Sequence, residues 1–310
     1  MQKISTKEMT REEWLKQRRI GIGGSDVSAI MGLNAYKSPL SVYLDKIGES
    51  PLEDTSSEAA FWGTQLEDVI ARHYAETNGV KIRRNNHILI HPEYPWMIAN
   101  IDREAFSDIR GHYGVEVKTA GLRNSYLWDD GNVPVPYVLQ MQHYMAVTGW
   151  DVFVCPALIG GQQYIEREIP RDEAIIATLI EAEGEFWDKV QRRIPPAWDG
   201  SQEASRILQA LYPKAETGKQ IVLPSTILDV ILAHQELDLQ VKEAKGVVKD
   251  LETKKKAYEQ EIAAIMGDAE TGIIDGIQVT YKTTERKSYV VEATSYRTLR
   301  IKELKEKRVA

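Results

Sequence analysis

Between Val80 and Lys118 the chain carries five short runs that alternate in polarity or are apolar throughout. They are Val80–Arg83, His87–His91, Met97–Ile101, Glu104–Phe106 and Tyr113–Lys118, separated by Asn85-Asn86, Pro92 and Gly111. Runs this short, broken this often by turn residues, do not make helices; they predict an antiparallel meander. The last one reads Gly114-Val115-Glu116-Val117-Lys118-Thr119. Side chains two apart on a strand share a face, so the Glu116 carboxylate and Lys118 ammonium project into one space. On a solvated sheet such a pair is an ordinary ion pair. In a closed site, a carboxylate can hold a hard divalent cation while the ammonium orients or deprotonates an attacking water.

Helical signals flank the strands. Thr10-Arg11-Glu12-Glu13 has the form of a capping box and opens a helix to about Arg19. Gly21-Ile22-Gly23-Gly24-Ser25-Asp26 then reads as a turn feeding an N-cap, with Arg18 and Arg19 beside amides that could take a phosphate. Ser38-Pro39 starts a helix ending near Gly48, and Pro51–Ser57 is a polar linker. A strong helix follows from Glu58 to about Asn78, with Glu67 beside its apolar stripe. Pro136–Thr148 is helical and sets Gln140 and Tyr144, four apart, on one face. Val152–Leu158 and Gln163–Ile169 form a hairpin about Gly160-Gly161, and Arg171–Arg193 is a helix that stops at Pro195-Pro196.

Residues 196–224 read as a mixed connector. Beyond it Leu237, Val241, Ala244, Val248, Leu251, Lys255, Tyr258, Ile262 and Ile265 keep alternating spacings of four and three. That sustained heptad predicts a helix of about 40 residues, roughly 60 Å long, with a coiled-coil or helical-hairpin seam. Gly272–Tyr281 with Lys287–Val291 predicts a small β-hairpin, and Lys302–Arg308 a solvated helix.

With 310 residues the chain can bury a large core, in one domain or two. A single cysteine, Cys155, rules out an intrachain disulfide and fits a reducing compartment. No apolar run is long enough to cross a bilayer, so a cytoplasmic protein is expected. The net charge of −7 counts against a passive nucleic-acid coat, which would be basic. It leaves room for an enzyme whose acids include metal ligands.

Five ordered blocks within residues 10–200 resemble the phage lambda exonuclease group, in particular the YqaJ-type viral recombinase nucleases of the restriction-endonuclease-like superfamily. The blocks are Arg18 with Gly21–Asp26, Trp62–Glu67, Asn100–Asp102, Glu116–Lys118 and Gln140–Tyr144. The resemblance implies an α+β nuclease core, a central mixed sheet flanked by helices, over residues 1–200. Residues 201–310 would be a C-terminal extension of long helix and hairpin. It implies that Asp102, Glu116, the Val117 carbonyl and Glu67 hold Mg²⁺ in a two-metal site, with Mn²⁺ an alternative, and that Lys118 handles the water. It implies a 5′-phosphate pocket at Arg18 and Ser25, with Gln140 and Tyr144 bracing the site or the scissile strand.

The activity implied is 5′→3′ exonuclease digestion of duplex DNA ends, leaving 3′ single strands for a phage-type recombination that anneals single strands. The implied partners are an annealing protein and two further copies in a ring-shaped homotrimer, encoded by a phage or prophage. An endonuclease of the same fold and a non-catalytic end-binding scaffold remain the alternatives. Two departures from the pattern stand out. Ile101 precedes Asp102 where the motif has proline, and the extension of about 110 residues has no counterpart in the lambda enzyme.

Overall fold

The structure, a computed structural model, describes residues 2–50, 57–198, 200 and 202–284. The linker at 51–56, the strand expected at Lys287–Val291 and the helix expected at Lys302–Arg308 lie outside them. By packing, the chain divides into two units, Met1–Ala210 and Leu211–Ala310.

In the first unit the elements run β1 (Gln2–Ser5), α1 (Arg11–Arg18), β2 (Ile22–Gly23), α2 (Gly24–Ile30), α3 (Pro39–Lys46) and α4 (Glu58–Asn78). Then come β3 (Lys81–Arg84), β4 (His87–Ile90), β5 (Met97–Ala99), β6 (Arg103–Ser107), β7 (Gly111–Val115) and β8 (Lys118–Ala120). After an irregular 3-10 stretch, Leu122–Gly131, follow α5 (Val135–Thr148), β9 (Val152–Ile159), β10 (Gln163–Pro170), α6 (Glu173–Gln191) and α7 (Gln202–Leu211). The Thr10 capping box forms in both directions, with Glu13 Oε2 accepting from the Thr10 amide at 2.8 Å and Thr10 Oγ1 accepting from the Glu13 amide at 3.2 Å.

The expected single meander is instead two sheets. One has the order β1-β4-β5-β2; the other is mixed, β10-β9-β7-β6-β3, with β8 also on β9. The strand β3 skips its sequence neighbours and pairs antiparallel with β6, while β4 and β5 pair with each other and with β1 and β2. Burial is the physical reason: Ile88, Leu89, Ile98 and Ala99 are buried, whereas β3 offers only a partly buried Ile82 among exposed cations. Two strands apolar on both faces belong inside the fold, and a basic strand belongs at an edge. The connector reading of 196–224 also changes, because α7 forms there and buries Ala204 against Phe186 and Val190.

The mixed sheet is covered on both faces, which explains why β9, Val-Phe-Val-Cys-Pro-Ala-Leu-Ile, is apolar almost throughout. Val152 and Val154 pack with Tyr74 of α4, Tyr113 and Val115 on one face. Phe153, Cys155 and Ala157 pack with Met141 and Met145 of α5 on the other. Helix α5 is fixed from behind by a fully buried pair. His143 Nε2 donates to the Ile98 carbonyl at 2.9 Å, and its Nδ1 lies 3.0 Å from Glu183 Oε1 on α6.

In the second unit α8 (Leu228–Met266) runs 39 residues, covering the expected heptad. It is followed by a hairpin of β11 (Thr271–Ile274) and β12 (Ile277–Thr280). That hairpin closes within the segment expected to supply only one of its strands. Asp275 and Gly276, with φ of 46° and 78°, make the two-residue turn that suits a tight hairpin.

Candidate active site

The strand β7 does not end cleanly. Val115 faces Val154 of β9 and Lys118 faces Ala157, three residues on in both strands, so the register runs on unbroken through Glu116 and Val117. The Glu116 amide donates to the Val154 carbonyl at 2.9 Å. The next amide, that of Val117, points to the other side, where β6 would lie. There the chain has turned away at Asp102, and Asp102 Oδ2 accepts the Val117 N–H at 3.0 Å in place of a ladder carbonyl. One backbone amide thereby anchors the Asp102 carboxylate beside the Glu116 strand.

Alternation does the rest. Val115 and Val117 point to α4, where Val117 packs on Ile70 and Ala71, so Glu116 and Lys118 point to α5. Lys118 Nζ donates to Glu116 Oε1 at 2.8 Å and to Gln140 Oε1 at 3.0 Å. The Gln140 amide nitrogen donates to Glu116 Oε1 at 2.6 Å and to Tyr144 Oη at 2.9 Å. Glu116 is 3% exposed, and its Oε2 is buried with no hydrogen-bond partner. The shared-face geometry expected for Glu116 and Lys118 is therefore present, and Gln140 and Tyr144 stand directly against it.

Electrostatics sharpen the picture. Burial, then the charges of Glu116 and Glu67, push the Asp102 carboxyl well above the usual carboxylate range. Burial also raises Glu116, with Lys118 pulling the other way. For Lys118 burial disfavours the charge, yet Glu116 and Asp102 outweigh it and hold the amine above its ordinary value. In the protein alone Lys118 therefore stays an ammonium, suited to orienting a water and not to deprotonating one, because two carboxylates press on one amine.

Glu67 is paired with an arginine. Arg103, itself 3% exposed, donates to Glu67 Oε1 at 2.5 Å, to Asp68 Oδ1 at 3.1 Å and to the Asp102 carbonyl at 2.7 Å. Among the described residues no three or more His, Cys, Asp or Glu side chains gather as a metal-binding group. What remains is a two-carboxylate arrangement, Asp102 and Glu116, with Glu67 alongside on a salt bridge. A cleft of about 250 Å³ opens beside Glu67 and Asp102, walled also by Trp14, Thr64, Asn85 and Asn100. Sequence reasoning passed over Arg103, although its place directly after Asp102 at the start of β6 was a usable signal.

The Gly-rich block is not a loose loop. Gly23 caps α2, its amide donating to Asp26 Oδ2 at 3.1 Å. Gly24 is required for packing: a Cβ there would lie 2.5 Å from the Tyr144 ring and 3.0 Å from Gln140 Cγ. The contact seats α2 on the same two α5 residues that touch Glu116. Arg18 Nη2 donates to Ser25 Oγ at 2.7 Å while the guanidinium lies 4.8 Å over the Trp14 ring. Arg19 does not join them; it is taken up by Asp45 and the Ser50 carbonyl. Beneath, Lys46 donates to the Arg18 carbonyl at 3.0 Å and pairs with Asp26 at 2.8 Å, and Lys37 meets Asp26 at 2.6 Å. The cations outnumber the carboxylate they share, so this corner of the molecule favours an anion.

The donor chemistry fits a Mg²⁺-type ion. Its ligands would be hard oxygens, Glu116 Oε2 has no other partner, and a cation would relieve the repulsion that raises both carboxyls. No helix among the described residues is long and apolar enough to cross a membrane.

Comparison with known proteins accords with the motif blocks. Residues 13–151 match the YqaJ-like viral recombinase domain. Protein YqaJ of Bacillus subtilis (strain 168) is 39% identical over 279 residues, 89% of this chain and 84% of that protein. Among solved structures, an alkaline exonuclease from Laribacter hongkongensis is 19% identical with a TM-score of 0.49, over 65% of this chain and all of that one. A phage-related exonuclease from Haemophilus somnus 129PT is 14% identical with a TM-score of 0.40, over 56% of this chain and 96% of that one. On the identity and coverage shared with the Bacillus protein, the chain belongs to the YqaJ family and carries its viral recombinase domain.

Proposed function

We propose that this protein is a divalent-metal-dependent deoxyribonuclease that digests one strand of duplex DNA from its 5′ end and leaves a 3′ single strand. The observation that carries the reading is Glu116 Oε2, a buried and unpartnered carboxylate oxygen beside Asp102, with the Lys118 ammonium on the same edge. An uncompensated buried acceptor of this kind costs stability unless something positive meets it. Asp102, Glu116 and the Val117 carbonyl would hold Mg²⁺ or Mn²⁺, and Glu67 would join only by letting go of Arg103. When bound, such an ion polarises a phosphodiester oxygen and acidifies a water.

The chain's own groups account for the rest. Lys118 holds its proton and presents a point charge where negative charge builds on the scissile phosphate. Gln140 spans Lys118, Glu116 and Tyr144 and fixes their spacing, so little reorganisation is left for the reaction itself. Arg18 and Ser25 take the 5′-terminal phosphate, and Gly24 on Tyr144 keeps that pocket on the same helix as the carboxylate edge. The 3′ strand left behind is the substrate of a single-strand annealing protein, which would make that class the functional partner.

End-labelled linear duplex, incubated with and without Mg²⁺ beside closed circular duplex, tests the reading. Loss of the 5′ label as mononucleotide, only with metal and only on the linear form, is expected. Cutting of the closed circle would turn the assignment to an endonuclease, and metal-independent binding without cutting to a scaffold. Arg18→Ala is expected to slow digestion of 5′-phosphorylated ends by about 10-fold or more while barely changing 5′-hydroxyl ends, as loss of a charge-assisted contact would do. Equal slowing on both ends would remove the phosphate pocket.

A further inference from the structure

Helix α5 turns a third side chain toward the carboxylate edge besides Gln140 and Tyr144. Tyr137 lies three residues before Gln140, one turn earlier on the same face of the helix. The Lys118 ammonium stands over its ring, 4.8 Å from the ring centre. That is within the reach at which the negative face of an aromatic ring attracts a cation. We propose that Tyr137 is a positioning residue for DNA cleavage, its ring holding the Lys118 ammonium in place beside Glu116. The role rests on the nuclease reading above and adds to it a residue that touches neither metal nor DNA.

A lysine at this place needs such a contact. Its stem is flexible and its charge has no preferred plane, so its position must be imposed from outside. Two hydrogen bonds restrain Nζ, to Glu116 Oε1 at 2.8 Å and to Gln140 Oε1 at 3.0 Å. The first of these acceptors belongs to the carboxylate that would also take a divalent ion, and a second cation competes for the same negative charge. The ring has no net charge and ligates no metal, so its hold on the ammonium survives that competition. The Lys118 side chain is only 15% exposed, so little water screens the contact.

The ring is itself fixed. After β8, which begins at Lys118, the 3-10 stretch brings Trp128 back against Tyr137, with ring centres 5.8 Å apart. Trp128 is 2% exposed, and its carbonyl accepts from Arg167 Nη2 of β10 at 3.0 Å. A tyrosine that only packed on this indole would be ordinary core filling. The two roles differ in what they expect of Lys118: core filling is indifferent to the ammonium, whereas positioning depends on it.

Two substitutions in the full chain separate them. Tyr137→Leu keeps apolar bulk and removes the ring, and Tyr137→Phe keeps the ring and removes only the hydroxyl. Single-turnover cleavage of end-labelled duplex is expected to slow about 10-fold in Tyr137→Leu at unchanged affinity for the DNA end, and to return in Tyr137→Phe. Melting of the metal-free protein reads the same contact without any reaction. Tyr137→Leu is expected to lower the melting temperature of the unaltered protein by about 2–4 °C more than it lowers that of Lys118→Ala. Packing lost on Trp128 is common to both backgrounds and cancels. Equal melting losses in the two backgrounds, a leucine variant that cleaves at the parent's rate, or a phenylalanine variant as slow as the leucine one would each overturn the role. A parent that cleaves no DNA would overturn the nuclease reading and this role with it, while unequal melting losses would still establish the hold of the ring on the ammonium.

Discussion

Lys118→Ala is expected to reduce DNA cleavage by about 10²–10⁴-fold while leaving DNA binding within a few-fold of the unaltered protein. The range is that for removing one positioned charge or proton-handling group from a reaction centre. The substitution deletes a cation held at 2.8 Å from Glu116 Oε1 and 3.0 Å from Gln140 Oε1. Nothing in the anion corner at Arg18, Ser25, Lys37 and Lys46 depends on it, which is why affinity for an end should survive. The buried Glu116 would lose its counter-charge, so the variant is also expected to unfold more easily at neutral pH and to recover as Glu116 takes up a proton in acid. Lys118→Arg restores the charge but not the compact ammonium, and is expected to regain stability with little activity. Single-turnover cleavage of end-labelled duplex beside equilibrium binding measures both effects. Ordinary turnover by Lys118→Ala would remove this lysine from the chemistry.

Several parts of this arrangement were legible in the sequence because they rest on neighbours. The Thr10–Glu13 capping box, the long α4 helix, the Gly160-Gly161 hairpin and the common face of Glu116 and Lys118 follow from contacts a few residues apart. What could not be read was decided by partners distant in the chain. The strand β1 has four largely exposed residues and exists because β4 needs a neighbour. Five strands that look like one meander divide into two sheets because burial sorts β4 and β5 from β3. At the site, the glycines read as a turn feeding an N-cap, and what that reading could not show is that Gly24 lets α2 lie on Tyr144. Arg19 looked as available as Arg18 until Asp45 and Ser50 claimed it. Glu67 looked as free as Asp102 until Arg103 closed on it. Local spacing supplied the list of charged groups, and tertiary packing decided which of them remain uncommitted.

Those uncommitted charges make the site a place where function and stability oppose each other. Asp102→Asn is expected to abolish cleavage and at the same time raise the melting temperature of the metal-free protein. The asparagine oxygen can still accept the Val117 amide that Asp102 Oδ2 accepts at 3.0 Å, so the anchor is kept while the charge is removed. What disappears is the repulsion with Glu116 and Glu67 that, after burial, pushes the Asp102 carboxyl upward. A carboxyl raised in the fold favours folding at pH below its unfolded value and loses that contribution as pH climbs through the folded one. The advantage of Asp102→Asn is therefore expected above the ordinary carboxylate range and absent well below it, where both states are protonated. A gain of about 1 kcal/mol corresponds to roughly 2–4 °C in a unit of this size. Mg²⁺ is expected to stabilise the unaltered protein at neutral pH by neutralising the same charges, and to do little for the variant. Melting curves across pH, with and without Mg²⁺, separate the contributions. Without metal, a variant that melts lower than the parent at neutral pH would show that repulsion does not burden Asp102; a variant that Mg²⁺ stabilises as strongly as the parent would show that Asp102 and Glu116 do not share a cation.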